Sequence, residues 1–162
     1  MSDTTTPDLT HAEIEALADH PGSFWQLVTA TQADLDGFDH VNNAVYLKWL
    51  DACVWAHTRL LGLDEKTCMD MERGMAAVRH EIDYIASARL GDQVAVFNWI
   101  VSNDGRLRCS RRFQMVRLSD RKTILRAKTD YVSTNLTNGR PVKMPEVFKT
   151  KYAVMLPEAA AD

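Results

Sequence analysis

Residues 34–51 read DLDGFDHVNNAVYLKWLD and join a polar loop to the strongest helical pattern in the chain. From Tyr46 onward, apolar and aromatic residues recur at spacings of three and four. This periodicity predicts one amphipathic helix of about 18 residues, or roughly 27 Å at 1.5 Å per residue. Asn42 or Asn43 can cap its first turn, and Gly62 stands where a left-handed C-terminal cap belongs. We therefore expect a long central helix.

Strand patterns flank this helix on both sides. Residues 24–33 (FWQLVTATQA) are rich in aromatic and β-branched side chains and predict a first strand. Beyond the helix, alternation and turn residues predict four more strands, at 75–84, 93–101, 106–118 and 122–134. Shorter helices are expected at 10–19, 64–73 and 145–152. The order predicts an α+β domain whose antiparallel sheet wraps around one long central helix.

Length and composition are typical of one globular domain. The chain has 162 residues, of which 46% are hydrophobic and 25% are charged. We divide it into an N-terminal extension with a short helix (1–23), a single domain (24–152) and a C-terminal tail (153–162). No internal repeat or low-complexity segment interrupts this plan.

A cytoplasmic location is expected. The first ten residues lack the basic start and apolar stretch of a secretory signal, and no apolar run is long enough for a membrane span. Cys53, Cys68 and Cys109 are odd in number and widely spaced, which is typical of free thiols in a reducing compartment.

Charge is unevenly distributed along the chain. Residues 1–78 carry 4 basic and 13 acidic residues, whereas residues 79–128 carry 11 basic and 5 acidic ones. The basic region can face a phosphate-bearing ligand, or its side chains can simply solvate the outer faces of strands. Arg106, Arg108 and Arg112 are expected to share one strand face and are candidate phosphate contacts, since arginine binds phosphate bidentately. Few aromatic residues are interleaved with them, so nucleic-acid binding is not expected.

Several families of catalytic site are excluded by missing motifs. The chain has no G-x-S-x-G elbow, no phosphate-binding loop, no dinucleotide-binding glycine turn and no H-E-x-x-H or comparable metal spacing. We therefore predict neither a metal nor a cofactor. Any chemistry must come from carboxylates, amides, histidine or backbone dipoles.

The loop before the long helix concentrates such groups. It contains three carboxylates, among them Asp36, together with His40 and two amides. A helix N-terminus offers unpaired N–H groups and about half a positive charge, which would stabilise the oxyanion of an acyl-transfer reaction. A carboxylate just before the helix could attack the carbonyl carbon or deprotonate a water. An ordinary turn or cap is the alternative role for Asp36.

The pattern Asp-x-Asp-(x)3-His-Val-Asn-Asn-(x)2-Tyr-(x)2-Trp-Leu-Asp over residues 34–51 resembles the signature of the 4-hydroxybenzoyl-CoA thioesterase-like group of hot-dog enzymes. It is also similar to acyl-carrier-protein thioesterases. The resemblance implies a hot-dog fold and Asp36 as the catalytic carboxylate. It implies an oxyanion donor at a backbone N–H closest to Asn43. His40 is either a catalytic partner or a structural histidine.

The same resemblance implies a homodimer or homotetramer with its sites at subunit interfaces, acting on an acyl-CoA or acyl-carrier-protein thioester. Phe38 and Tyr46 are candidate substrate contacts, although Tyr46 also lies on the apolar helix stripe. The benzoyl enzymes carry Pro-Ala-Gly after the catalytic Asp, where this chain has Gly37-Phe38-Asp39. The carrier-protein enzymes have Asn in place of Phe38. The reaction class therefore transfers better than the substrate.

Two other functions stay open at this level. A non-catalytic hot-dog protein would bind acyl-CoA and leave it intact. A hot-dog enoyl-CoA hydratase or dehydratase would need a histidine and a carboxylate placed differently, and His80 is the candidate histidine.

Overall fold

The predicted long helix packs against a five-stranded antiparallel sheet, which confirms the α+β class. The computed structural model describes residues 8–155. The helices are α1 (His11–Glu15), α2 (Asn43–Leu60), α3 (Glu65–Asp70) and α4 (Glu146–Lys151). The strands are β1 (Phe24–Thr29), β2 (Arg73–Tyr84), β3 (Gln93–Asn103), β4 (Arg108–Arg117) and β5 (Lys122–Asn135).

Local sequence signals account for the bounds of α2. The side chain of Asn42 accepts the backbone N–H of Ala44 at 2.9 Å, so Asn42 is the N-cap. At the other end Gly62 has a φ of +80°, which glycine adopts without the steric cost of a Cβ. One side of the helix is buried against the sheet and comprises Val45, Tyr46, Trp49, Leu50 and Cys53.

The sheet has the order β1-β3-β4-β5-β2, and every neighbouring pair is antiparallel. β3 and β4 are interior strands, whereas β2 is an edge strand with mostly exposed residues. A register shift between Ala77 and Arg79 interrupts β2, and Val78 is exposed there. The regular alternation predicted for β2 is therefore broken by this irregularity.

Both faces of β3 are covered, as its apolar sequence predicted. Val94 and Val96 belong to the core beneath α2. Phe97 and Trp99 belong to a second cluster, which contains Ile14 of α1. The N-terminal segment therefore packs on the face of the sheet opposite α2. Its helix has the predicted capping box but spans five residues, fewer than predicted.

The strand predicted from residue 106 begins later. Asp104 Oδ1 accepts the backbone N–H groups of residues 106, 107 and 108 at 2.7–2.9 Å. These bonds lengthen the turn between β3 and β4, because a side chain takes up N–H groups that would otherwise join the ladder. Arg106 therefore lies in the turn, and its predicted place on one strand face with Arg108 and Arg112 is wrong.

Other predictions concern helix length, cysteines and the chain ends. α3 has six residues instead of ten, because Arg73 already belongs to β2. Cys53, Cys68 and Cys109 are free and buried. Residues 1–7 of the expected extension and 156–162 of the expected tail lie outside the described residues. Within residues 8–155, none of the helices is both long and apolar enough to span a bilayer.

Candidate active site

Asp36 organises the loop that leads into α2. Its Oδ1 accepts the backbone N–H of Phe38 at 2.8 Å and that of His40 at 3.3 Å. Its own N–H donates to the carbonyl of His40 at 2.8 Å. Asp39, at the tip, has a φ of +57°, a conformation that Asp tolerates better than most residues. These bonds engage one carboxylate oxygen, Oδ1, in holding the loop.

A cavity of about 250 Å³ opens beside this loop, and the three predicted catalytic residues, Asp36, His40 and Asn43, all line it. Asp36 and His40 are half-buried, so the cavity is open to ligands without leaving these groups in bulk solvent. The opposite wall comes from the end of β2 and the segment after it, including Tyr84 and Ser87. A carboxylate, an imidazole and the first residue of α2 thus share one small space.

The end of α2 presents backbone N–H groups to this cavity. Asn43 is the first residue of α2, so its N–H has no acceptor within the helix. The next two N–H groups are used, because Ala44 donates to the Asn42 side chain and Val45 donates to the Asn42 carbonyl at 2.9 Å. Tyr84, which the sequence did not single out for the site, donates its hydroxyl to the Asn43 carbonyl at 3.0 Å.

The predicted substrate contacts Phe38 and Tyr46 have contrasting environments. Phe38 is 82% exposed and does not line the cavity. Tyr46 lines the cavity but is only 2% exposed, and its hydroxyl accepts the Ala88 N–H at 2.8 Å. Burial raises the pKa of this hydroxyl. Tyr46 therefore forms part of the cavity wall, whereas the side chain of Phe38 is exposed on the surface.

The predicted phosphate contacts lie away from the cavity. Arg106, Arg108 and Arg112 are all exposed, and none of them lines the space around Asp36. Arg112 lines a different cavity together with Arg126. Their contact with a CoA nucleotide stays a prediction.

His80, the candidate for a hydratase, also lies elsewhere. It lines a second cavity of about 410 Å³, together with Leu47 and Asp51, and its Nδ1 is 2.9 Å from the hydroxyl of Thr129. His80 and Asp36 therefore line separate cavities. Among the described residues, no cluster of three or more His, Cys, Asp or Glu side chains could hold a metal ion.

Comparison with protein families shows which family contains this loop and helix. The family model of the thioesterase-like superfamily matches residues 30–152, which is most of the chain. The chain belongs to this superfamily. Its matched region begins before the Asp36 loop and ends after α4, so it contains the whole candidate site. A search of curated protein sequences finds no significant match.

Solved structures share the fold of this thioesterase-like protein at low sequence identity. The 1,4-dihydroxy-2-naphthoyl-CoA thioesterase of Synechocystis has a TM-score of 0.72 and 20% identity, over 81% of this chain and 96% of that chain. A Staphylococcus aureus protein in complex with CoA has a TM-score of 0.74 and 20% identity, over 87% and 93%. An acyl-ACP thioesterase of Bacteroides thetaiotaomicron has a TM-score of 0.71 and 19% identity, over 82% and 54%. The thioesterase-like chain therefore has the hot-dog fold.

Proposed function

We propose that this thioesterase-like protein hydrolyses an acyl-CoA thioester to the free acid and CoA, with Asp36 as its catalytic carboxylate. The observation that carries the proposal is that Asp36 and Asn43 line the same cavity. A carboxylate and a helix N-terminus can perform the two tasks of thioester hydrolysis, since one can activate the nucleophile and the other can bind the carbonyl oxygen. Membership of the thioesterase-like superfamily supports the same reaction class.

In the proposed reaction the thioester carbonyl oxygen accepts the free N–H of Asn43. Asp36 takes a proton from a water as that water attacks the carbonyl carbon, and the negative charge develops on the oxygen held at the helix end. The tetrahedral intermediate then collapses, the C–S bond breaks, and the CoA thiolate leaves and takes up a proton. His40, which lines the cavity beside Asp36, is proposed to orient the carboxylate or the water.

In the nucleophilic alternative to this general-base route, Asp36 itself forms a bond to the carbonyl carbon. The carboxylate then attacks the carbonyl carbon itself, forms a mixed anhydride and releases CoA, and water hydrolyses the anhydride. A single turnover in water labelled with heavy oxygen identifies the nucleophilic route if the label enters Asp36. This occurs when water attacks the anhydride at the Asp36 carbonyl, whereas the general-base route places the label in the released acid alone.

Coenzyme A is proposed as the carrier, with an acyl-carrier protein as the alternative. The CoA complex of the Staphylococcus aureus structure supports coenzyme A as the carrier. The acyl-ACP thioesterase of Bacteroides thetaiotaomicron supports the carrier-protein alternative. The basic side chains proposed for the CoA phosphates are Arg106, Arg108 and Arg112, and Phe38 is a proposed contact at the surface end of the substrate. Hydrolysis of matched acyl-CoA and acyl-carrier-protein substrates distinguishes the carriers by kcat/KM.

We further propose a homodimer or homotetramer. β2 is an edge strand of twelve residues with mostly exposed side chains, and such an edge is a template for pairing with another strand. Light scattering coupled to gel filtration gives the mass directly, and a monomer at micromolar concentration contradicts this assembly. The cytoplasmic location is likewise a prediction, with which three free, buried thiols are compatible.

The deciding experiment follows thiol release from a panel of acyl-CoA substrates by the wild type, Asp36→Asn and Asp36→Ala. Asn keeps an oxygen that can accept the Phe38 N–H, so the loop is expected to stay intact while the charge is lost. Asp39→Asn is the matched control, because it removes an exposed charge three residues away and Asn tolerates the positive φ at that position. We expect both Asp36 variants to lose well over tenfold in turnover. Near-normal hydrolysis by both would overturn the assignment.

The same panel tests the two alternatives. A binding protein retains acyl-CoA in equilibrium dialysis and releases no thiol. A hydratase consumes the conjugated double bond of an enoyl-CoA without thiol release, and His80→Ala would then abolish the activity while Asp36→Asn would not.

A further inference from the structure

A buried arginine faces the helix from the middle of the sheet. On β4 the side chains of Phe113 and Met115 belong to the core beneath α2, and Cys109 belongs to a cluster with Cys68 of α3 and Phe148 of α4. Arg111 lies between them on the same alternating face of the strand. It is only 3% exposed. A charged group in this position must be compensated by hydrogen bonds or by an opposite charge.

The partners of Arg111 are neutral. Its Nη1 donates to Asn98 Oδ1 at 2.7 Å and lies 2.9 Å from His57 Nδ1. His57 Nδ1 is also 3.1 Å from Asn98 Oδ1, so it accepts from Arg111 when its proton is on Nε2 and donates to Asn98 when its proton is on Nδ1. Burial and the charge of Arg111 lower the pKa of His57 to about 4, so the imidazole is neutral near pH 7. The guanidinium also lies 5.4 Å from the ring centre of Tyr152.

Within residues 8–155, no carboxylate lies within ion-pair distance of this guanidinium. None of the ion pairs formed there involves Arg111. Both of these contacts use Nη1, and among residues 8–155 the Nε and Nη2 groups have no hydrogen-bond partner. The edge formed by Nε and Nη2 is the planar fork with which arginine binds a carboxylate through two parallel hydrogen bonds.

The space beside Arg111 suits an apolar chain. A cavity of about 380 Å³ is lined by Arg111, and its walls come mainly from apolar and aromatic side chains of α2, α3 and β2, such as Val54, Met69 and Met75. Thr58 and Tyr131 add hydroxyl groups, and the carboxylates of Asp51 and Glu65 also line the cavity. Glu65 is paired with Arg59. A ligand that pairs with Arg111 in this cavity therefore has an apolar body and an anionic end.

The cavities follow one side of α2. Asn43 lines the cavity at Asp36, and Ala44, Leu47 and Asp51 line the next one. Asp51 and Tyr131 are shared between this second cavity and the one at Arg111. The Arg111 cavity reaches Thr58, 15 residues beyond Asn43, or about 22 Å along the helix. The cavity at Asp36 shares no lining residue with the second cavity, so a chain held at Asp36 would have to pass along the surface of α2 to reach Arg111.

We propose that the Arg111 cavity binds a carboxylate carried on an apolar chain. The carboxylate can be the far end of an ω-carboxyacyl thioester whose carbonyl lies at Asp36, and this source rests on the proposed function. It can also belong to a separate fatty acid, which does not rest on it. Both sources use the same contacts, namely the free edge of Arg111 and the apolar walls.

The first experiment measures binding without catalysis. Calorimetric titration compares dodecanoate with methyl dodecanoate, which has the same chain and no charge, on the wild type, Arg111→Met and Arg140→Met. We expect the wild type to bind the acid at least about tenfold more tightly than the ester. Arg111→Met should lose this preference, and Arg140→Met should keep it, because Arg140 is exposed and outside the cavity. Equal binding of acid and ester by the wild type overturns the proposal, whether or not Arg111→Met folds.

The second experiment identifies the source. kcat/KM is measured for an ω-carboxyacyl-CoA and for an unsubstituted acyl-CoA of equal length, with the same three proteins. A preference for the ω-carboxyacyl substrate that Arg111→Met abolishes supports the substrate end. Dodecanoate binding without such a preference supports the separate fatty acid. If no thioester is cleaved at all, the proposed hydrolysis fails, and the calorimetric comparison still decides whether the carboxylate site exists.

Discussion

The hydroxyl of Tyr84 donates to the backbone carbonyl of Asn43 over 3.0 Å and ties the last residue of β2 to the first residue of α2. The two residues are 41 positions apart in the chain, and both line the cavity at Asp36. The bond holds the peptide unit that follows the proposed oxyanion donor. It therefore contributes to the orientation of the helix end without contacting the reacting carbonyl.

Removing this hydroxyl should affect turnover more than folding. Tyr84 is 46% exposed, so Tyr84→Phe is expected to change the free energy of unfolding by at most about 1 kcal/mol. A small displacement of an oxyanion donor weakens its bond to the transition state, and we expect kcat to fall roughly threefold to tenfold with KM nearly unchanged. Steady-state kinetics and urea unfolding test both parts. A variant with unaltered kcat contradicts the positioning role.

Replacing the helix cap should mainly change stability. In Asn42→Ala the Ala44 N–H loses its side-chain acceptor, and such losses cost about 1 kcal/mol. Asn43→Ala is the matched control, because Asn43 is already within the helix and alanine has the higher helix propensity. Urea unfolding should show a lower midpoint for Asn42→Ala alone. Equal loss in both variants would mean that Asn42 is not the effective cap.

The sequence was sufficient for features that depend on neighbouring residues. α2 was predicted with its cap at Asn42 or Asn43 and its end before Gly62, because periodicity and capping act within a few residues, and the structure has the cap at Asn42. β3 was predicted as an interior strand because both of its faces are apolar. The loop from Asp36 to Asn43 was likewise identified as the candidate site, since its polar groups are contiguous.

Features that depend on residues far apart in the chain could not be predicted from the sequence. Nothing in the sequence near Tyr84 indicates its bond to Asn43. The turn that takes Arg106 out of β4 depends on the geometry of one Asp104 side chain. The inward position of Arg111 did have a signal, namely its alternation with Cys109 and Phe113, but its neutral partners come from α2 and β3.

The three thiols should react slowly in the folded protein. Burial raises the pKa of Cys53 and of Cys109 to about 11, and it also raises the pKa of Cys68. The thiolate is the reactive form, so less of it is present near neutral pH, and access is restricted as well. We expect an aromatic disulfide reagent at pH 8 to modify less than one thiol per chain over minutes, and all three after unfolding in guanidinium. Fast native modification of Cys53 would contradict its burial.

The pH dependence of stability should depend on His57. Its pKa is lowered from 6.5 to about 4, first because burial disfavours the imidazolium and second because Arg111 repels it. Below pH 6.5 the unfolded chain binds a proton at His57 that the folded chain does not. This residue therefore contributes stability above pH 6.5 and loses that contribution as the pH falls toward 4.

The test compares the wild type with His57→Gln, which cannot titrate but keeps an oxygen that can accept from Arg111. Between pH 7 and pH 5 we expect the wild type to lose up to about 2 kcal/mol of unfolding free energy that the variant does not lose. The comparison stops at pH 5 because carboxylates, with ordinary pKa values near 4, titrate in both proteins below it. Urea unfolding at both pH values gives the four free energies. Parallel losses in the two proteins would show that His57 is protonated as readily in the folded chain as in the unfolded one.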